Sequence, residues 1–240
     1  MNLQRLDKII ASQVNISRTD AKADIRKGFV TVDGSVLRDP SRAVDTDSKI
    51  CYKGQALCFK EHIYILMNKP KGVLSASTDK RRQTVVDLVP PELFRSGLFP
   101  VGRLDKDTTG LLIITDDGDF AHRVISPKSG INKLYDVVLD GEVTSDTVKA
   151  FQEGIVLADG TKCLPARLEI KETNRAIVEI KEGKYHQIKR MFGVVGLGVE
   201  ELKRISVGNL KLPDGLKCGE CIELSAEDLK FVLQQPVEKH

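Results

Sequence analysis

The sequence predicts an α+β protein of two unequal domains, residues 1–59 and 60–240. Three observations lead there. Apolar residues recur at helical spacing early in the chain and gather into short strand-like runs later. A change of composition falls near residues 55–62, which reads as the linker. Charge also divides unevenly across that point. The formal net charge is +3 over 240 residues. Residues 1–59 hold 10 Lys/Arg against 7 Asp, while residues 60–240 hold 27 of each sign. The whole excess therefore sits in the first quarter, as expected for a small basic arm on a charge-balanced body.

In the arm, Leu3, Leu6, Ile9 and Ile10 predict an amphipathic helix over 3–12. Ser17 then caps a second helix with Asp20 three residues inside, and Gly28 is free to take the left-handed position that ends it. Residues 29–32 and 35–37 flank Asp33-Gly34, a two-residue hairpin signal. Arg5, Arg18, Lys22, Arg26 and Lys27 lie on the two helices. Arg18, Lys22 and Arg26 are four apart and share a face, which is either a solvated surface or a nucleic-acid contact. The body opens with a strand at 63–67. Further strands are expected at 111–114, 134–139, 176–180 and 220–224, with a helix over 185–195 just after Gly183. That mixture implies a largely antiparallel or mixed sheet. There is no internal repeat and no low-complexity segment.

Composition excludes several classes. A hydrophobic content of 41% suffices for a core, and no apolar run approaches the roughly 18 residues of a membrane span. Arg5, Asp7 and Lys8 interrupt the apolar residues at the start, unlike a secretory signal. Five cysteines, an odd number, argue against a disulfide framework and for a reducing cytoplasm. The lone Cys218-x-x-Cys221 lacks the about four ligands of a zinc site and reads as small core residues, so no metal is expected.

The most informative stretch runs from Gly102 to Thr115: Gly-Arg-Leu-Asp-Lys-Asp-Thr-Thr-Gly-Leu-Leu-Ile-Ile-Thr. Asp105 and Asp107 stand in a polar loop that feeds a buried strand. From the residues alone they are either turn aspartates or reactive groups hung from a rigid element. The stretch resembles the central motif of the pseudouridine synthases in its RsuA-type form. Two further motifs of that family follow in order: Lys133-Leu134-Tyr135, then Gly183-Lys184-Tyr185-His186-Gln187-Ile188-Lys189-Arg190-Met191. Asn68-Lys69-Pro70-Lys71-Gly72 fits the opening motif. The arm resembles the alpha-L, or S4, RNA-binding module.

The resemblance implies a pseudouridine synthase fold, a mixed and largely antiparallel sheet with flanking helices, behind an S4-like arm. It implies isomerisation of a uridine in RNA without a cofactor. Asp105 would be the reactive carboxylate, as nucleophile or as base. Lys189 would be the cation beside Asp105 that keeps it ionised, and Tyr135 the ring against the target uracil. Arg103 would fill the gap left by the turned-out base or bind its phosphate. Arg190, Lys69 and Lys71 would meet the RNA backbone, as would Arg5, Arg18, Lys22, Arg26 and Lys27 of the arm. His186 is expected to be structural. The form of the last motif points to the small-subunit branch, hence to uridine 516 of 16S ribosomal RNA in a partly assembled particle, and to a monomer. A 23S rRNA enzyme of the same family and a non-catalytic assembly factor are the alternatives.

Overall fold

The structure, a computed structural model, describes residues 2–234. Met1 and the last six residues of the body assigned as 60–240 lie outside the described residues. The chain forms two units. The first runs to Ile63 and takes in Pro91–Gly97; the second holds Tyr64–Pro90 and the chain from Leu98 on.

The first unit contains β1 (Leu3–Arg5), α1 (Leu6–Val14), α2 (Arg18–Arg26), β2 (Val30–Val32), β3 (Ser35–Val36), β4 (Ala43–Asp45), β5 (Ile50–Tyr52) and β6 (Gln55–Leu57). Leu6, Ile9 and Ile10 of α1 meet Ala21 and Ile25 of α2 in one core. The first helix starts three residues later than its periodicity suggests, because residues 3–5 pair with β4 instead. Leu3 is 62% exposed and takes no part in the core. The Ser17 hydroxyl accepts the Asp20 N–H at 3.1 Å, capping α2. Asp33 (φ 49°) and Gly34 (φ 82°) make the left-handed turn between β2 and β3. Residues 55–57 are not linker: they are the edge strand of the sheet β3-β2-β5-β6. Three residues after a glycine are too short a run to show alternation.

The arm's basic residues are organised around a carboxylate that its sequence pattern does not single out. Asp7 is fully buried. It accepts hydrogen bonds from Arg5 at 3.1 and 3.0 Å and from Arg18 at 3.1 Å, with the Lys22 ammonium 4.0 Å away. Arg26 and Lys27 stay exposed. The Arg5 hydrogen bond holds the Asp7 carboxyl down to about 2, against the opposing effect of burial, and Arg18 adds to it.

The second unit contains β7 (Tyr64–Lys69), β8 (Phe99–Pro100), β9 (Thr109–Thr115), α3 (Gly118–Ile125), β10 (Lys133–Leu139), α4 (Ser145–Glu153), β11 (Arg167–Glu172), β12 (Arg175–Ile180), α5 (Gln187–Val194), β13 (Val199–Val207), β14 (Leu210–Lys211), β15 (Cys221–Glu223) and α6 (Ala226–Leu233). One sheet takes the order β11-β12-β10-β13-β9-β7-β15, with β14 on β13 and β8 on β9. Its pairings are antiparallel except β13 with β9. Leu111, Leu112, Ile113 and Ile114 are buried, so β9 is a central strand covered on both faces. Leu111 and Ile113 meet Phe120 and Val124 of α3 and Val232 of α6. Gly110 (φ 97°) permits the parallel contact, since a Cβ there would lie 2.2 Å from the Arg204 carbonyl oxygen. Cys221 is half-buried and Cys218 exposed, so the pair is not part of the core. No described helix is long and apolar enough to cross a membrane.

The folded pKa of Asp7 lies below its ordinary 3.8. Its contribution to stability is therefore complete above about pH 4 and lost as pH falls through about 2. Urea denaturation between pH 2 and 5 should show that loss in the wild type. Asp7→Asn should flatten the slope in this window and cost about 1–3 kcal/mol at pH 7.

Candidate active site

The site begins with a turn. The Thr108 N–H donates to the Asp105 carbonyl at 3.1 Å, closing Asp105-Lys106-Asp107-Thr108 ahead of β9. Such a turn exposes its side chains but does not fix its own position. Three neighbours fix it. Lys69, at the end of β7, is fully buried, and its Nζ donates to the carbonyls of Pro70 at 3.0 Å, Lys106 at 3.3 Å and Thr108 at 3.0 Å. The Gly72 N–H donates to the Lys106 carbonyl at 2.7 Å. The Ser75 hydroxyl donates to the Leu104 carbonyl at 2.9 Å and accepts the Leu104 N–H at 3.1 Å. Burial pushes the Lys69 ammonium down to about 8, although Asp107 and Asp105 pull the other way. The sequence reading has Lys69 meeting the RNA backbone, but its side chain is buried and spent on these carbonyls. Its neighbour Lys71 is exposed.

The second wall comes from residues 182–189. Gln187 is buried. Its Oε1 accepts the Lys184 N–H at 2.9 Å and its Nε2 donates to Glu182 at 2.7 Å. This shapes a tight loop, and His186 ends it in the left-handed region at φ 47°, ψ 35°. Such a backbone is uncommon for a residue other than glycine and is often found at functional sites. It directs the imidazole at the Asp105 loop: His186 Nε2 lies 3.4 Å from Asp105 Oδ1. Tyr185, 75% exposed, stacks on the same imidazole at 3.9 Å between centroids.

The expected ion pair of Lys189 with Asp105 is not formed. Lys189, in the first turn of α5, reaches Asp107 Oδ2 at 2.5 Å and holds that carboxyl below its usual range. The shift follows from the turn, which sends the two carboxylates to different partners. Arg190 pairs with Asp159 Oδ2 at 2.5 Å, so it is engaged rather than free for phosphate. The Thr161 hydrogen bonds, with Arg190 helping, keep the Asp159 carboxyl down at about 2.

The remaining wall is β10. Tyr135 is 7% exposed and stands where the β10–β13 register shifts between Leu134 and Tyr135, an irregularity that can re-aim a side chain. Arg103, Asp105, Thr108, Tyr135, His186 and Leu202 line a cleft of about 70 Å³. The structure thus gathers Arg103, Asp105 and Tyr135, and adds His186, which the sequence reading set aside. The Thr108 hydroxyl is buried there without a partner among the described residues. Further along the chain, Lys80, Arg81 and Arg82 are exposed on a loop fixed by Asp79, which accepts the N–H groups of Arg81 and Arg82 at 3.0 and 2.9 Å. The sequence carries this basic triplet openly, but no motif points to it.

A carboxylate and an imidazole face a deep-set tyrosine in a cleft with an arginine at its rim. Two families of known proteins match this chain. Residues 63–193 match the RNA pseudouridylate synthase family, and residues 4–50 match the S4 domain. The chain is 42% identical to the Bacillus subtilis protein described as an uncharacterized RNA pseudouridine synthase, YtzG, over 97% of its own length and 99% of that protein's. It is 38% identical to the ribosomal small subunit pseudouridine synthase A of Escherichia coli, over 95% and 100%. A crystal structure of a pseudouridylate synthase superposes with a TM-score of 0.68 at 34% identity, covering 95% of this chain and 99% of that one. The chain belongs to the RNA pseudouridine synthase family. It is an isomerase that acts on RNA and carries an N-terminal S4 domain.

Lys69→Met should remove the donor shared by three carbonyls and cost about 2–4 kcal/mol. Because Lys69 sits at about 8 rather than 10.5, the unfolded chain binds more protons between these values, and wild-type stability should rise with pH across that window. Denaturation series at pH 7 to 10.5 should show the rise diminished in Lys69→Met.

Proposed function

We propose that the protein isomerises one uridine of 16S ribosomal RNA, uridine 516, with Asp105 as the reactive carboxylate. The observation that carries the assignment is the placement of Asp105 in a cleft with Tyr135 and Arg103, on a turn held from three sides. The reaction breaks the bond between C1′ and N1, turns the base and rejoins it through C5. Atoms are conserved, so no redox partner or cofactor is required. Asp105 serves as nucleophile at the sugar or as base toward a sugar proton; in both schemes it must be ionised. His186 is the basic group nearest to it, with its Nε2 3.4 Å from Asp105 Oδ1. The Tyr135 ring offers a stacking face to the uracil, as flipped bases commonly require. Arg103 occupies the space opened in the RNA or meets the adjoining phosphate. Arg5, Arg18 and Lys22, only partly neutralised by Asp7, and Arg26, Lys27, Lys71 and the triplet Lys80-Arg81-Arg82 supply backbone contacts. The small-subunit target is supported by the match to the E. coli enzyme over nearly the whole of both chains. A cytoplasmic, monomeric enzyme acting on an assembling particle is consistent with that target.

Cells lacking this protein should lack one pseudouridine, mapped to 16S rRNA, and the wild-type chain should restore it. Asp105→Asn should bind the RNA and fail to restore the modification, with a loss beyond the ~10⁴-fold expected for an acid–base helper. A site missing from 23S rRNA instead would redirect the target. Activity of Asp105→Asn within tenfold of wild type would favour a non-catalytic role.

The geometry also separates His186 from Lys189. His186→Asn removes the imidazole while keeping a residue that tolerates the left-handed backbone. It should lower the single-turnover rate, because Asp105 loses the side chain that faces it. Lys189→Met should return Asp107 toward the usual carboxylate range and lower that rate less. The reverse order would give the supporting role to Lys189.

A further inference from the structure

Lys133 and Arg204 stand on neighbouring strands. In the β10–β13 pairing Lys133 lies opposite Val207 and, past the register shift, Tyr135 lies opposite Arg204. With Gly102, Arg103 and Glu182 they line a second cavity, of about 140 Å³. Tyr135 and Arg103 line both this cavity and the Asp105 cleft, so the two spaces are neighbours across one wall.

The charges in this cavity do not balance. Arg204 is 4% exposed, and its one side-chain hydrogen bond runs from Nε to the Leu111 carbonyl at 2.8 Å. Lys133 Nζ donates to the Ile131 carbonyl at 3.0 Å. Neither cation has a carboxylate partner among the described residues. Glu182 is in the lining, but its oxygens are taken by the Lys184 ammonium, the Gln187 amide and the Leu164 N–H. A buried guanidinium with a half-buried ammonium beside it and no counter-ion is costly, and a bound anion relieves that cost. Burial, with the Arg204 charge beside it, already pushes Lys133 down to about 8. One water needs roughly 10–15 Å³ of cavity space, so a cavity of about 140 Å³ has room for a phosphate group.

We propose that this cavity is a phosphate subsite, in which Lys133 and Arg204 hold the phosphodiester adjoining the uridine that enters the Asp105 cleft. The proposal rests on the reading of that cleft as the reactive site. Fixing the phosphate beyond Tyr135 sets the sugar relative to Asp105, an orientation that the cleft residues alone leave to the base.

The test follows the Lys133 side chain in the full-length protein labelled with ¹³C at lysine Cε, its signal assigned by its absence in Lys133→Arg. Uridine, uridine 3′-monophosphate and uridine 5′-monophosphate are titrated separately. One of the monophosphates should shift the Lys133 signal and raise its titration midpoint from about 8 toward the ordinary lysine value, while uridine should not. Arg103, Tyr135, Glu182 and Arg204 are the other titratable groups facing the cavity, and Glu182→Gln controls for the carboxylate among them. Lys133→Met should bind that monophosphate at least fivefold more weakly with uridine binding unchanged, and Lys133→Arg should recover most of the loss. If neither monophosphate acts on Lys133 more than uridine does, or if Lys133→Met binds both ligands like wild type, the subsite is refuted. Should Lys133→Met fail to fold, the wild-type titration decides alone. Wild-type turnover of RNA is scored separately, so an intact Lys133 response without turnover fails the cleft reading and not the phosphate site.

Discussion

The Asp105 loop depends on one buried ammonium. A four-residue turn at the head of a strand has a single internal hydrogen bond, so its carbonyls would otherwise need water. Lys69 supplies donors to two of them and to Pro70 from inside the protein. This carries a cost, since burial lowers the affinity of Lys69 for its proton. The nearby Asp105 and Asp107 charges reduce that cost. The lysine thus holds the loop by hydrogen bonds, and the two aspartate charges help it keep its proton. Serving both ends needs a group with three donors, no acceptor and a positive charge, which lysine has.

With the loop held from within, the outer partners of its two carboxylates can diverge. Asp107 takes Lys189, the compact and strongly held cation on α5. Asp105 faces His186, which is less basic and sits at a longer distance. A carboxylate clamped in a short ion pair with lysine would have little freedom to approach a sugar. One opposite an imidazole at 3.4 Å is not clamped in this way. The left-handed backbone at His186 is the local strain that buys this placement, and the Gln187 hydrogen bonds to Lys184 and Glu182 hold it there.

Much of this was legible in the sequence, for identifiable reasons. The strand at 111–114 and the helix beginning near Gln187 announce themselves because their apolar residues are buried on both sides or on one stripe. The turn at Asp33-Gly34 is written in residue types that tolerate positive φ. What escaped was pairing and direction. Asp7 looks like any helix aspartate until Arg5, Arg18 and Lys22 are seen to converge on it. Lys69 beside Pro70 and Gly72 has the composition of a surface turn, yet it closes a strand whose other residues are buried, and it follows them inside. The choice of Lys189 for Asp107 over Asp105 turns on the handedness of a four-residue turn, which spacing does not encode. Strand β13 was missed outright: Glu200, Glu201, Lys203 and Arg204 hide its alternation, because one of those charges, Arg204, points inward.

That inward arginine ties the architecture to the site. The sheet changes from antiparallel to parallel where β13 meets β9, and the contact spans only two residue pairs, Lys203 with Thr109 and Arg204 with Gly110. Gly110 lets the backbones approach, and the Arg204 Nε–H donates to the Leu111 carbonyl, securing the junction with a side chain where the ladder is short. The same Arg204 stands opposite Tyr135 at the register shift in β10. One residue therefore joins the strand that follows the Asp105 turn to the strand that carries the tyrosine. Replacing it with an apolar side chain of similar size would satisfy the packing and leave the Leu111 carbonyl without this donor. It would also remove one of the three cations, with Arg103 and Lys133, that line the second cavity. The cost of burying a guanidinium there is thus offset partly by the sheet and partly by whatever anion the cavity receives.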